Sequence, residues 1–179
     1  TPLLGPSKKS FTLQARATDT GGNSTATPLL TVQLVTDATP PRVLRRFPAP
    51  DAFANEVNAL SASFNEPVVP ATVTPAPFTL RSAGPDTACG TADDTVITDG
   101  EVEYRASVTT AFLKFQKPLP PGLYQARVRP PISDMALNAL AADVAWTFWV
   151  LSDADADGDG VPDNVEATLG YDAAKPDTN

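Results

Sequence analysis

Histidine is absent from this chain of 179 residues, and cysteine occurs once, as Cys89. Without histidine the chain lacks the usual general base of enzymes and the commonest protein ligand of transition metals. A single cysteine cannot form an internal disulfide or a cluster of metal-bound thiolates. These two absences exclude the most familiar kinds of catalytic and zinc sites.

Long apolar runs are missing as well. No run approaches the roughly 18 apolar residues of a membrane-spanning helix, so we expect no membrane insertion in this segment. The chain begins at Thr1 rather than methionine, and it carries no recognisable signal peptide. We therefore expect an excerpt of a longer polypeptide.

Basic residues are scarce near the C-terminus. Residues 153–179 contain eight acidic residues and one base, Lys175, which gives a net charge of −7. Residues 1–152 contain 13 acidic and 12 basic residues, a net charge of −1. A nearly neutral body with an acidic tail gives no electrostatic reason to expect nucleic acid or an anionic membrane as partner.

Proline is abundant, with 19 residues, and apolar residues recur in short alternating runs rather than at helical spacing. This pattern predicts strands joined by turns. Seven runs follow residue 39: 42–47, 59–64, 78–81, 101–104, 110–115, 123–128 and 146–150. Seven short strands at this spacing predict an antiparallel Ig-like β-sandwich over residues 39–151, with the alternate apolar side chains as its core.

The sequence also contains an internal echo, because residues 11–35 parallel residues 124–150. Each copy has Gln-Ala-Arg in a strand, then an Asp, an Asn four residues later and a final strand. The pairs are Asp19 and Asn23 in the first copy, and Asp134 and Asn138 in the second. Asp and Asn suit tight loops. Since the first copy has almost nothing upstream, we predict that residues 1–38 are the last two strands of a truncated β-module.

Five segments follow one another along the chain: PPRVLRRFPAPDA, SFNEPV, LPPGLYQARV, SDMALNAL and WTFWV. In their residues and their order they resemble the bacterial Ig-like domain of the SbsA type, over most of residues 39–151. The resemblance implies a tandem module of a large secreted or cell-surface protein, structural or adhesive, with no shared catalytic residues. The chain departs from the family at Leu137, where glycine is usual. Leucine resists the positive φ that glycine adopts there.

Two other acidic features have structural alternatives. The loop 82–100 gathers acidic residues around glycines and is either a second calcium site or a solvated insertion in which Asp and Gly serve turns. Its acids are Asp86, Asp93, Asp94 and Asp99. Glu66 and Asp134 are conceivable as a general acid and base, but nothing in the sequence brings them together. We expect no enzyme activity.

The tail contains an ordered acidic pattern, DADGDGVPDNVE, beginning at Asp155. Three alternate acids, a glycine at the sixth position and a glutamate at the twelfth match the calcium-loop template. Ca²⁺ prefers six to eight oxygen ligands, which such a turn can bring together. The predicted ligands are Asp155, Asp157, Asp159, the Val161 carbonyl, Asp163 and Glu166. The alternative is an acidic linker, which would not need this order.

The residues around the pattern define the kind of loop. A strand precedes it. Downstream, Pro162 suits the first turn of a short helix predicted over about residues 162–169, and Gly170 suits its end, so the loop is EF-hand-like with one helix only. The segment DADGDGVPDNVEATLGYDAAKPDTN resembles the bacterial thrombospondin type 3 repeat, over about residues 153–179. That resemblance implies calcium sharing between neighbouring repeats, for which Asp153, Asp172 and Asp177 are candidates.

Together these features predict a non-catalytic structural or adhesive segment of a large extracellular protein, with a Ca²⁺-stabilised stalk. The expected partners are neighbouring repeats of the same polypeptide and a cell-surface or matrix ligand. The alternative is a carbohydrate- or other ligand-binding accessory module of a secreted enzyme. Trp149 is the candidate contact residue for that role, because alternation places it opposite to Trp146.

Overall fold

Strands dominate the computed structural model of the protein, which describes residues 10–176. The chain divides into two compact units, residues 1–38 and 39–179. Within residues 10–176, no helix is both long and apolar enough to cross a membrane.

The described part of the first unit, residues 10–38, contains four short strands, where two were predicted. They are β1 (Ser10–Leu13), β2 (Arg16–Thr18), β3 (Ser24–Ala26) and β4 (Leu30–Gln33). β1 pairs antiparallel with β4, and β2 with β3. Between these two pairings Thr27 Oγ1 accepts the Ala15 N–H at 3.1 Å, and the Thr27 N–H donates to the Ala15 carbonyl at 2.9 Å.

The second unit contains two sheets. The first has the order β10 (Glu101–Arg105), β11 (Thr110–Lys114), β7 (Ala59–Phe64), β5 (Val43–Phe47). The second has the order β6 (Ala52–Ala54), β13 (Val144–Val150), β12 (Gly122–Val128), β8 (Phe78–Ser82), β9 (Thr95–Ile97). Every neighbouring pair is antiparallel except β6 with β13. The predicted all-β Ig-like sandwich is confirmed, and β6 and β9 are additions to the seven predicted strands.

The core lies between these two sheets and follows the predicted alternation. The inward residues of β7, β12 and β13 are all buried: Leu60, Ala62, Phe64, Tyr124, Ala126, Val128, Trp146, Phe148 and Val150. Phe148 stacks on Tyr124, with ring centroids 5.7 Å apart. The Tyr124 hydroxyl donates to the Pro120 carbonyl at 2.8 Å, which satisfies its polar end. Burial raises the pKa of Tyr124 to about 12.

The two echoed loops have the same hydrogen bonds. In each, the Asp side chain accepts the backbone N–H of the Asn four residues later, at 2.8 Å in the first copy and 2.9 Å in the second. The Asn side chain returns a bond to the same carboxylate at 2.9 and 2.8 Å. The residue before the Asn has a positive φ, 87° at Gly22 and 70° at Leu137. Leu137 therefore holds the conformation that glycine adopts at low cost.

Replacing Leu137 with glycine is expected to raise the free energy of unfolding by about 0.5–1 kcal/mol. The left-handed conformation costs a leucine about 1–2 kcal/mol, and the greater chain entropy of unfolded glycine offsets part of the gain. The leucine side chain is 76% exposed, so little packing is lost. Urea unfolding measures the difference. Ala136→Gly in the same loop, where φ is not positive, is the matched control and should destabilise; stabilisation by both variants would contradict the strain argument.

Candidate metal centre

The acidic loop joins β13 to the only α-helix of residues 10–176, α1 (Asp163–Leu169). Gly170 ends the helix in the left-handed conformation, as predicted. Pro162, predicted in the first turn, is extended and precedes the helix. Asn164 ties the ends of the loop together. Its Nδ2 donates to the Val150 carbonyl at 2.8 Å, and its Oδ1 accepts the Ser152 N–H at 3.0 Å. The helix is thereby attached to the last residue of the sandwich.

Three predicted ligands converge at the centre of the loop. Asp155, Asp157 and Asp159 each present a carboxylate oxygen, and these oxygens lie within 4.8 Å of one another. Backbone N–H groups hold them in place. Asp155 accepts from Gly158 at 2.8 Å and from Gly160 at 3.1 Å. Gly160 has a φ of 96°, which permits the sharp bend between the acids and the helix.

The remaining predicted ligands lie at the helix end of the loop. Asp163 Oδ1 accepts the Ala156 N–H at 2.7 Å, so this carboxylate closes the loop across its base. The Val161 N–H donates to Asp159 at 2.9 Å. Glu166 lies in α1 and is completely buried, at 0% exposure. A buried carboxylate is costly without a compensating charge.

The electrostatics of the loop disfavour the charged form of its central carboxylate, Asp157. Burial raises the pKa of Asp157. The charges of Asp159 and Asp155 raise this pKa further, whereas the backbone hydrogen bond from Asp159 lowers it. Asp157 Oδ2 is buried and has no hydrogen-bond partner among residues 10–176. A divalent cation would relieve both effects. The donor set consists of hard oxygens, which fits calcium.

The candidates for shared sites are placed differently. Asp153 is exposed. Asp172 accepts from the Lys175 ammonium and from the Ala174 N–H, and Lys175 holds the pKa of Asp172 below its ordinary value. Asp177 lies outside the described residues. Calcium sharing through these residues stays a prediction.

Three of the four acids of the loop 82–100 serve its own turns. Asp94 accepts the Gly90 N–H at 2.8 Å, and Asp86 accepts the Ala88 N–H at 2.9 Å. Asp93 accepts the Thr91 hydroxyl at 2.7 Å, the main reason that the pKa of Asp93 is lowered. Burial raises the pKa of the Cys89 thiol in this loop. These contacts match the turn alternative of the sequence analysis.

Glu66 and Asp134 lie near each other, with carboxylate oxygens within 4.8 Å. Asp134 is buried and accepts three hydrogen bonds from its own loop, from Ala136 and from the backbone and side chain of Asn138. Against the effect of burial, these bonds hold the pKa of Asp134 below its ordinary value. The carboxylate therefore acts as a loop cap, whereas a general acid needs a raised pKa.

Trp149 lies on the outer face of the five-stranded sheet, opposite in direction to the buried Trp146. It is half-buried and stacks on Phe53 of β6, with ring centroids 6.5 Å apart and an angle of 14° between the planes. The Phe53 side chain is 55% exposed. Sequence alternation indicated Trp149 but not its neighbour, because β6 is too short to recognise.

Comparison with known proteins yields a family and a fold. The family model described as bacterial Ig-like domain matches residues 37–150, which end before the acidic tail. Among curated proteins no match is found.

Several solved structures are similar. The methionine-rich copper resistance protein PcoC from Escherichia coli is 17% identical, with a TM-score of 0.47 over 62% of this chain and 97% of that chain. Domains 1–6 of the surface layer protein SbsC are 20% identical, with a TM-score of 0.44 over 63% of this chain and 14% of that chain. These likenesses concern the fold and carry no argument about function.

Proposed function

Because the chain belongs to the bacterial Ig-like domain family, we propose that it is a non-catalytic structural or adhesive segment of a large secreted or cell-surface protein. The sandwich acts as a spacer between neighbouring repeats of the polypeptide. The acidic tail is a calcium-stabilised stalk of the thrombospondin type 3 kind.

One observation carries the calcium proposal: three alternate carboxylates meet within 4.8 Å in a loop whose order matches the calcium template. Like charges held this close repel one another, so the arrangement needs a compensating cation. The ligands would be Asp155, Asp157, Asp159, the Val161 carbonyl, Asp163 and Glu166. Bound calcium would supply positive charge that joins the loop to α1 and stiffens the connection to β13.

Calcium titration of the whole chain tests this proposal. After treatment with a chelator, calorimetry should give saturable binding with a Kd of about 10⁻⁴–10⁻³ M or tighter, as in other extracellular calcium modules. Mg²⁺ should bind more weakly, because it demands a small, nearly ideal octahedron. Asp155→Asn/Asp157→Asn removes two charges of the cluster and should abolish the binding heat. Absence of saturable binding at millimolar Ca²⁺ would contradict the stalk.

The same proposal divides the chain at residues 1–38, 39–151 and 152–179. Residues 39–151 contain both sheets and their common core, so a fragment of this length should fold alone. Far-UV circular dichroism of the purified fragment should report strands and a cooperative thermal transition. A spectrum typical of an unfolded chain would contradict this division.

A second candidate function is a ligand-binding accessory module of a secreted enzyme, carbohydrate-binding for example. The stacked and partly exposed pair of Trp149 and Phe53 supports it, since flat aromatic surfaces on a sheet face can pack against sugar rings. The two functions are compatible, because the pair lies on the sheet and the calcium loop follows it.

A further inference from the structure

The outer face of the five-stranded sheet contains a groove of about 200 Å³ that is rich in arginine. Its lining residues are Thr79, Arg81, Val96, Gln125, Arg127 and Arg129. Three of the eight arginines of the chain thus meet at one place, although the chain as a whole has a net charge of −8. No acidic residue lines the groove.

Strand register brings the arginines together. Arg81 lies opposite Gln125 in the pairing of β8 with β12, and Arg127 lies opposite Thr79. Alternation then places residues 125 and 127 on the same outer face. Arg129 follows β12, and its guanidinium is fixed by two donations to the Ala76 carbonyl, at 3.2 and 3.0 Å.

The positive charge of the groove is only partly balanced. Arg127 approaches Asp143 at 3.4 Å, a long ion pair at the exposed rim. In the range 10–176, neither Arg81 nor Arg129 forms an ion pair within 4.0 Å. Asp51, which lies on the β13 side of β12, accepts the Thr147 hydroxyl at 2.8 Å. The groove therefore offers guanidinium donors to an anionic ligand.

The aromatic pair lies on the same face. Trp149 of β13 pairs with Leu123 of β12, and Gln125, two residues further along β12, pairs with Arg81 of β8. Trp149 and Arg81 are therefore separated by two strand spacings across the sheet and two residues along it. At about 4.8 Å per strand and 3.3 Å per residue, this distance is about 12 Å. One short oligosaccharide could contact both the aromatic pair and the arginines.

We propose that this face binds an acidic polysaccharide built of uronic acid sugars. Sugar rings would stack on Trp149 and Phe53, while carboxylates would receive paired hydrogen bonds from Arg81 and Arg127. The combination selects this ligand, because a neutral glycan leaves the guanidinium charges without counter-charge and a polymer of acidic residues has no sugar ring to stack on the aromatic pair. The inference rests on the proposed adhesive function and names its ligand, but it does not depend on calcium.

Binding to polygalacturonate tests this proposal. The whole chain is used, in a chelator, so that calcium cannot bridge the polymer to the acidic tail. Tryptophan fluorescence should change saturably with polygalacturonate, and added salt should weaken the binding because exposed charges are screened. The neutral glucan pullulan should cause no change. Polyglutamate, which carries carboxylates without sugar rings, should bind at least about tenfold more weakly.

Variants locate the site. Arg81→Gln/Arg127→Gln should raise the Kd about tenfold or more, since hydrogen bonds to charged groups are lost. Arg42→Gln/Arg45→Gln, outside this sheet, changes the net charge equally and should leave the Kd within about twofold. Trp149→Ala, assayed by sedimentation with the polymer, should lose affinity through a different contact. Circular dichroism checks that each variant is folded.

Three results would overturn the proposal: no binding of polygalacturonate, equal losses in the two double arginine variants, or binding of polyglutamate as tight as that of polygalacturonate. A fourth concerns a second copy of the chain. If the chain self-associates without polymer and Arg81→Gln/Arg127→Gln abolishes this, the groove holds the acidic tail of another copy. The first three results leave the calcium titration of the tail unaffected, so the two proposals fail separately.

Discussion

Replacing Phe148 with alanine is expected to lower the free energy of unfolding by about 3–5 kcal/mol. Phe148 is 0% exposed and packs between the sheets against Tyr124, so its removal leaves a cavity as well as losing burial of the ring. A domain of this size is stable by only about 5–15 kcal/mol. The variant should therefore unfold at much lower urea concentration, or fail to fold at 37 °C.

Phe53→Ala is the matched control, because it removes the same ring from the outer face of the same sheet. That ring is 55% exposed, so we expect a loss below about 1.5 kcal/mol from its stacking on Trp149. Urea unfolding of both variants, monitored by tryptophan fluorescence, gives the comparison. Equal losses in the two variants would mean that the two sheets do not enclose the core described here.

Replacing Glu166 with alanine is expected to weaken calcium binding by about a hundredfold. In the proposed site Glu166 provides two oxygen ligands, and each interaction contributes about 1.5 kcal/mol to binding. Because about 1.4 kcal/mol corresponds to a tenfold change in affinity, the loss of both interactions corresponds to about a hundredfold. Asp163→Ala should cost less, because the residue at its loop position often acts through water. Calorimetric titration of both variants measures the difference.

Glu101→Ala removes an exposed glutamate from β10 and serves as the control for the change in net charge. Its calcium affinity should equal that of the unchanged chain. A larger effect of Asp163→Ala than of Glu166→Ala would contradict the assigned ligand roles. If Glu101→Ala weakened calcium binding as much as Glu166→Ala does, the binding would reflect the net negative charge of the chain rather than a specific site.

Among the seven strands that could be predicted, β7, β12 and β13 have enough alternating residues to distinguish a buried face from an exposed one. β7 follows this rule at every position, with Leu60, Ala62 and Phe64 buried. β6 and β9 have three residues each, too few to show a period. β6 also pairs parallel with β13, and such a distant pairing leaves no local signal.

Leu137 illustrates a different limit. The echo of Asp19 and Asn23 in Asp134 and Asn138 indicated a common loop, but leucine opposes the positive φ of that loop. The hydrogen bonds of Asp134 prevail, and the backbone adopts a φ of 70° at Leu137. Local side-chain bonding therefore outweighs the conformational preference of one residue.

The acidic loop and the arginine groove differ in how far their residues are separated along the chain. Asp155, Asp157 and Asp159 lie in one short segment, so their spacing alone predicts convergence. Arg81 and Arg127 are 46 positions apart, and only the register of β8 against β12 brings them together. Both arginines occupy outward-facing positions of predicted strands. That shared orientation is the one indication of the groove that the sequence contained.

Backbone NMR shifts recorded during a Ca²⁺ titration of the whole chain test the central claim most directly. The claim is that calcium orders a stalk attached to a sandwich that needs no metal. We expect large shifts confined to about residues 152–170, saturating with the calorimetric Kd, and unchanged resonances for core residues such as Leu60 and Phe148. Tail resonances that stay unmoved at millimolar Ca²⁺, or shifts that spread through the core of the sandwich, would contradict it.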